Sequence, residues 1–200
     1  MLKLSFVLYE LAWMAVFALV IHHAVTRWGR AKTAAFFVPA IFFGFLLEWA
    51  TQEVFTRYHY GEGFLVYVFN VPLNISLAWA ALLYFGYGLA KEKVGQAHPL
   101  KAAAVAGVAL VAIDLLVFEP LAKTFGYWVW TPPGVWFDSP VGNVYGWFWV
   151  VVLYLGAFQW IEQKKWDWKK KLAAGLLAIA PLTLALTALL KIYEAVLGKL

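Results

Sequence analysis

Three carboxyl groups stand late in apolar runs of the chain. Glu48 lies in "IFFGFLLEWA", Asp114 in "VAIDLLVFEP", and Glu119 closes that second run just before Pro120. An ionisable side chain in a stretch built for lipid is expensive, so it marks an internal pair or a site that handles protons or ions. Asp114 is flanked by Ile113, Leu115 and Leu116, and in such surroundings a carboxyl must be neutral or well partnered. Asp114 and Glu119 are five residues apart, about 140° around a helix of about 3.6 residues per turn. They share a face only if the helix loosens ahead of Pro120, which disfavours the α conformation of the residue before it. A meeting of Glu48 with Asp114 across a helix interface, direct or through one water, is the stronger expectation. Glu119 adjoins a loop and is expected to be wetter than Asp114. Glu10, near the start of the first apolar run, reads equally well as a group that orients its helix at interfacial water.

A second feature is the stretch "YWVWTPPGVWFDSPVGNVYGW" from Tyr127 to Trp147. It carries Trp128, Trp130, Trp136 and Trp147, three prolines and Asp138, with Trp149 just beyond. Indoles gather at membrane interfaces as a girdle. The same residues can instead form an apolar, π-rich cap over the acids. Other chemistry is poorly provided for. There is no Cys, which removes disulfides, thiolate nucleophiles and Cys-ligated metals. His22, His23, His59 and His98 fall in no metal-ligand spacing. No glycine-rich phosphate loop and no GxSxG elbow occurs, and no metal site is expected.

The elements that must hold these residues are helices in a membrane. The 200 residues are 64% hydrophobic and 14% charged, against about 25% charged in ordinary soluble domains. Six runs are long enough to cross a bilayer: about 5–26, 33–52, 70–90, 100–120, 143–162 and 172–195. The expectation is an all-α polytopic bundle of about six transmembrane helices, one integral membrane domain over residues 1–200, in the cell membrane. The first run reads as a retained helix, because it ends in Arg27-Trp28-Gly29-Arg30 with no small-residue cleavage site. Loops after the first, third and fifth runs hold eleven Lys and Arg: Arg27, Arg30, Lys32, Lys91, Lys93, Lys101, Lys164, Lys165, Lys169, Lys170 and Lys171. The other side holds five: Lys3, Arg57, Lys123, Lys191 and Lys199. That excess puts the first side in the cytoplasm and both termini outside, and it explains the net charge of +5 without nucleic acid. The loop "WIEQKKWDWKKK" then reads as an interfacial anchor. Gly86 and Gly88 read as sites of close helix packing. With this orientation Glu10, Glu48, Asp114 and Glu119 all fall in the outer half of the bundle, beneath the aromatic loops 53–69 and 121–142. A proton-coupled transporter would also explain such acids, but no repeats or broken-helix pairs are visible.

The outer-side residues resemble the carotenoid biosynthesis membrane-protein family, whose members include carotenoid hydratases. The first part of the resemblance is Glu48, "RYHY" with Tyr58 and Tyr60, "VPL" at Val71 to Leu73, and Trp79. The second is Asp114, Glu119 with Pro120, Trp128 and Trp130, Trp136 with Phe137, Pro140, Asn143, and Gly146 with Trp147. It spans about residues 45–150 and departs from the family pattern at Asp138-Ser139-Pro140, where a Gly-Val-Pro type turn is usual.

The resemblance implies a cofactor-free hydratase that adds water across the terminal double bond of a linear carotenoid or related isoprenoid. The chemistry needs an acid kept protonated in an apolar site. It also needs rings to stabilise a tertiary carbocation, at roughly 0.5–2 kcal/mol each when desolvated, and a group to orient the attacking water. The expected catalytic residues are Asp114 as proton donor and Glu48 and Asn143 holding the water, with Glu48 or Glu119 as the next candidate acid. Tyr58, Tyr60, Trp79, Trp128, Trp130, Trp136 and Trp147 are the expected substrate-binding residues, and the expected partners are a lipophilic isoprenoid and membrane lipid. An isoprenoid end-group cyclase would use the same acid with an internal double bond as the trap. A non-enzymatic lipid- or carotenoid-binding protein would need the rings but not the acids.

Overall fold

The computed structural model describes residues 3–94 and 98–197; Lys199, counted above on the outer side, lies outside them. The molecule is an all-α helical bundle. Among the described residues, five helical stretches are long and apolar enough to cross a bilayer: Leu4–Phe55, Leu73–Val94, Pro99–Phe125, Val141–Glu162 and Trp168–Leu197.

The first of these corrects the expected boundaries. Runs 5–26 and 33–52 are joined in one helix, α1 (Leu4–Ala50), broken at Gly29 with φ 77° and ψ 162°. The chain offers nothing else between them to stop a helix, since Arg, Ala and Lys are good helix formers. A Cβ at Gly29 would meet no neighbour, so glycine serves here for its backbone angle alone. The two arms fold back on each other: the Phe17 and Phe37 rings lie 5.9 Å apart, and Tyr9 lines the same cavity as Leu47 and Glu48. At about 1.5 Å per residue each arm can span roughly 30 Å.

The remaining helices are α2 (Leu73–Val94), α3 (Pro99–Ile113), α4 (Glu119–Phe125), α5 (Val141–Glu162) and α6 (Trp168–Leu197). A π-helical turn, Asp114–Phe118, joins α3 to α4. It falls where Pro120 brings no N–H to the ladder. Among the described residues, four short strands occur at one end of the bundle. β1 (Tyr58–Tyr60) pairs antiparallel with β4 (Trp128–Trp130), Tyr58 opposite Trp130 and Tyr60 opposite Trp128. β2 (Tyr67–Val68) pairs with β3 (Val71–Pro72). The first pair ties the two aromatic loops into one cap.

Aromatic side chains fill the core. Phe36 is fully buried among Trp28, Tyr84, Tyr154 and Phe158, and Tyr154 donates its hydroxyl to the Phe36 carbonyl. Gly86 does allow close approach, facing Ala106 and Leu110, whereas Gly88 has nothing within 4 Å of where a Cβ would stand and packing does not account for it. Glu10 is buried and accepts the backbone N–H groups of Leu65 and Val66 at 2.6 and 3.3 Å. It clips the loop after β1 onto α1 rather than meeting interfacial water. At the opposite end Glu162 pairs with Lys32 and accepts the Tyr87 hydroxyl at 2.6 Å. There Lys164 lies 4.0 Å above the Trp160 ring.

Gly44 sets the spacing of α1 and α2. A Cβ there would stand 2.8 Å from Cβ of Trp79, an atom that cannot swing aside. Gly44→Val is expected to destabilise the bundle by about 1–3 kcal/mol through overpacking, read as a lowered thermal midpoint of the detergent-solubilised protein.

Candidate active site

A cavity of about 120 Å³ opens beneath the cap, bordered by α1, α2, the π turn after α3, α5 and α6. It has room for several waters or a small apolar group. Most of its wall is hydrophobic or aromatic, and Glu48, Asp114, Glu119 and Asn143 are among the polar groups that reach it.

Glu48 is placed by the last turn of α1 and met by a chain that doubles back. A π-helical turn, Thr51–Phe55, ends in Thr56 at φ 50°, which reverses the backbone into β1. Alternation along a strand then sends Tyr58 and Tyr60 to one face and His59 to the other. Both phenols donate to Oε2 of Glu48, Tyr60 at 2.6 Å, and the Trp79 indole N–H donates to Oε1 at 2.5 Å. Burial, and then the Glu48 carboxylate, push both phenols well above their ordinary values, so they remain donors at neutral pH. Three donors directed at its two oxygens suit the carboxylate form of Glu48.

The second cluster joins the acids that ideal helix geometry sets apart. In the π turn the Glu119 N–H bonds to the Asp114 carbonyl. Such i→i+5 bonding brings residues five apart close to one side of the helix. Pro140 caps α5 and puts Asn143 in its first turn. The Asn143 amide nitrogen lies 2.9 Å from Oδ2 of Asp114, 2.9 Å from Oε1 of Glu119 and 3.1 Å from Oγ of Ser139. One amide thus bridges both carboxyls. The indoles of Trp128 and Trp130 donate to Oε2 of Glu119 at 3.3 and 3.0 Å. Among the described residues, Oδ1 of Asp114 is buried with no hydrogen-bond partner.

Several expectations are corrected here. Glu119 is 1% exposed rather than wet, because the strand that follows α4 folds its indoles over it. Asp114 and Glu48 line one cavity, but the hydrogen-bonded partner of Asp114 is Asn143, and through it Glu119; Glu48 keeps separate partners. Trp136 does not line the cavity: it is 46% exposed and donates to the Leu115 carbonyl at 2.8 Å. Its loop, held by an ion pair of Asp138 with Lys123, turns it outward, away from the cavity. Trp79, Trp128, Trp130 and Trp147 do line the cavity.

Sequence reasoning missed Tyr9, Trp13, Phe118, Arg57 and Ser139, all at or beside the site. Tyr9 and Trp13 carry the clearest overlooked signal, since aromatic residues four apart share a helix face. Among the described residues no three His, Asp or Glu side chains gather closely enough to hold a metal ion.

No curated protein and no solved structure matches the chain. A family model described as "carotenoid biosynthesis protein" matches residues 5–199. That match takes in both acid clusters, the cap and all five long helices, and the chain belongs to the carotenoid biosynthesis protein family.

Proposed function

We propose that the protein hydrates the terminal carbon–carbon double bond of a linear carotenoid or related isoprenoid, as a multi-pass protein of the cell membrane surrounded by lipid. The observation that carries this reading is the Asn143-bridged pair of Asp114 and Glu119 beside an aromatic-walled cavity, with one Asp114 oxygen unpartnered. Two bare charges joined by one amide would repel each other, and a retained proton relieves that. A carboxyl proton with no acceptor beside it is free for an alkene.

Asp114 gives its proton to the less substituted alkene carbon, and the π pair becomes the new C–H bond. The tertiary cation that remains is stabilised by the surrounding rings and carboxylates. Water adds its oxygen to that carbon, and its surplus proton passes to Glu48, which the two tyrosines and Trp79 hold in place. Proton exchange between Glu48 and the Asp114–Glu119 pair resets the site. One water enters and one tertiary alcohol leaves.

Membranes holding the protein and a linear carotenoid should yield a product heavier by one water, incorporating the oxygen of isotopically labelled water. A product of unchanged mass would place the protein among end-group cyclases. Bound isoprenoid without any product would make it a binding protein.

In this reading both termini lie outside. The chain has no native cysteine, so single cysteines can be labelled without background. Val135→Cys, at a position 83% exposed, should react with an impermeant maleimide on intact cells. Asp167→Cys, exposed in the loop before α6, should react only after lysis. The reverse pattern would invert the topology.

A further inference from the structure

Five aromatic residues from four separate segments line the cavity in sequence around its wall: Tyr9 and Trp13 of α1, Phe118 of the π turn, Trp147 of α5 and Trp79 of α2. Their ring centroids follow one another at 6.4, 5.6, 6.0 and 4.3 Å. Successive planes are turned by 75°, 56°, 34° and 39°, so the rings form a curved wall rather than a stack.

None of these five rings carries a lysine or arginine among the described residues. Away from the cavity Lys32 lies 4.7 Å above Trp28, Lys164 4.0 Å above Trp160 and Lys171 4.5 Å above Trp168, and at its edge Lys191 lies 4.5 Å above Phe55. The protein covers rings with its own cations at several places, including Phe55 at the cavity's edge, and leaves the five rings of the arc uncovered. The Trp79 N–H is given to Glu48, which pushes electron density back into the indole. Glu48, Asp114 and Glu119 border the same space, and the Arg57 that also reaches it is paired with Glu194.

We propose that this arc is a binding site for a lipophilic quaternary ammonium head, with Tyr9, Trp13 and Phe118 as cation-holding residues beside Trp79 and Trp147. A trimethylammonium group has about the size and the charge of a tertiary carbocation and carries no N–H, so π faces receive it while the nearby acceptors form no hydrogen bond to it. The use of the site rests on the hydration reading, in which a stable mimic of the cation binds more tightly than the alkene; the site itself does not require turnover.

The test is calorimetric titration of the protein in lipid nanodiscs, with empty nanodiscs as blank, using three probes of equal chain length. They end in trimethylammonium, in the neutral tert-butyl isostere, and in a primary ammonium. The trimethylammonium probe should bind about ten-fold or more tightly than the isostere, as expected for desolvated cation–π contacts. That ratio should fall in the order Trp, Phe, Leu at position 147, and again in Trp13→Leu. Trp147→Phe keeps a ring in place, so it remains informative if the Leu variant misfolds. Equal binding of the charged and neutral probes would overturn the proposal, as would a ratio unmoved by the Trp variants. Tighter binding of the primary ammonium would also overturn it, by placing the charge on the carboxylates. A protein that prefers the quaternary probe but makes no alcohol would keep this site and lose the hydratase reading, and the converse result would do the opposite.

Discussion

Asp114→Asn is expected to lower formation of hydrated carotenoid by about 10²–10⁴-fold, the range of general acid catalysis, with an unactivated alkene at the upper end. The substitution keeps the shape of the side chain and leaves an oxygen for the Asn143 amide to meet, but it removes the acidic proton. The variant should purify as a folded protein and still bind a linear isoprenoid. Product is measured in membranes by chromatography and mass spectrometry, beside binding on the same preparation. Near-full hydration by the Asn variant would make Asp114 structural. Glu119, on the other side of the Asn143 bridge, would then be the acid, and Glu119→Gln would show the loss instead.

Glu48→Leu should have the largest effect on stability. It removes the acceptor for Tyr58, Tyr60 and Trp79 together. A buried donor left without a partner costs about 1–3 kcal/mol, so the loss should reach several kcal/mol and loosen the β1–β4 cap that the tyrosines anchor. Glu48→Gln should cost less, because the amide oxygen still accepts while its N–H₂ faces the remaining donors. The thermal midpoints should therefore rank wild type, Gln, Leu. Tyr58→Phe should be less damaging on the Gln background than on wild type, because the two changes remove the same contact. If Leu were as stable as wild type, the three hydrogen bonds would not hold the cap. If Gln kept full hydration activity, Glu48 would not take the proton from water.

The cap also shows how far local pattern carries. Both segments read as loops from the sequence; as strands, their spacing by two puts Tyr58 with Tyr60, and Trp128 with Trp130, on common faces. It could not name the acids they meet. Tyr58 and Tyr60 reach Glu48, close by in the chain, while the two indoles reach Glu119. Trp136 lies in the same aromatic stretch and has the same chemistry, yet it turns outward. Its direction follows from the loop geometry between Pro133 and Pro140, which composition does not encode.

Apolar run length, the rarity of charges within those runs and the order of motif residues are properties of the chain itself. They were enough for a helical membrane bundle and for the family. The partners of each acid depend on distances between segments far apart in sequence, so only the tertiary structure decided them. The fold-back at Gly29 brings Tyr9 and Trp13 to Glu48 and sends Glu10 to the backbone of Leu65. The π turn before Pro120 changes the angle between Asp114 and Glu119 from one that separates them to one that a single Asn143 amide can span. A change in helix pitch over a few residues is a small backbone event, set by the missing N–H of a proline and by what α5 offers nearby, and it converts two isolated acids into a pair.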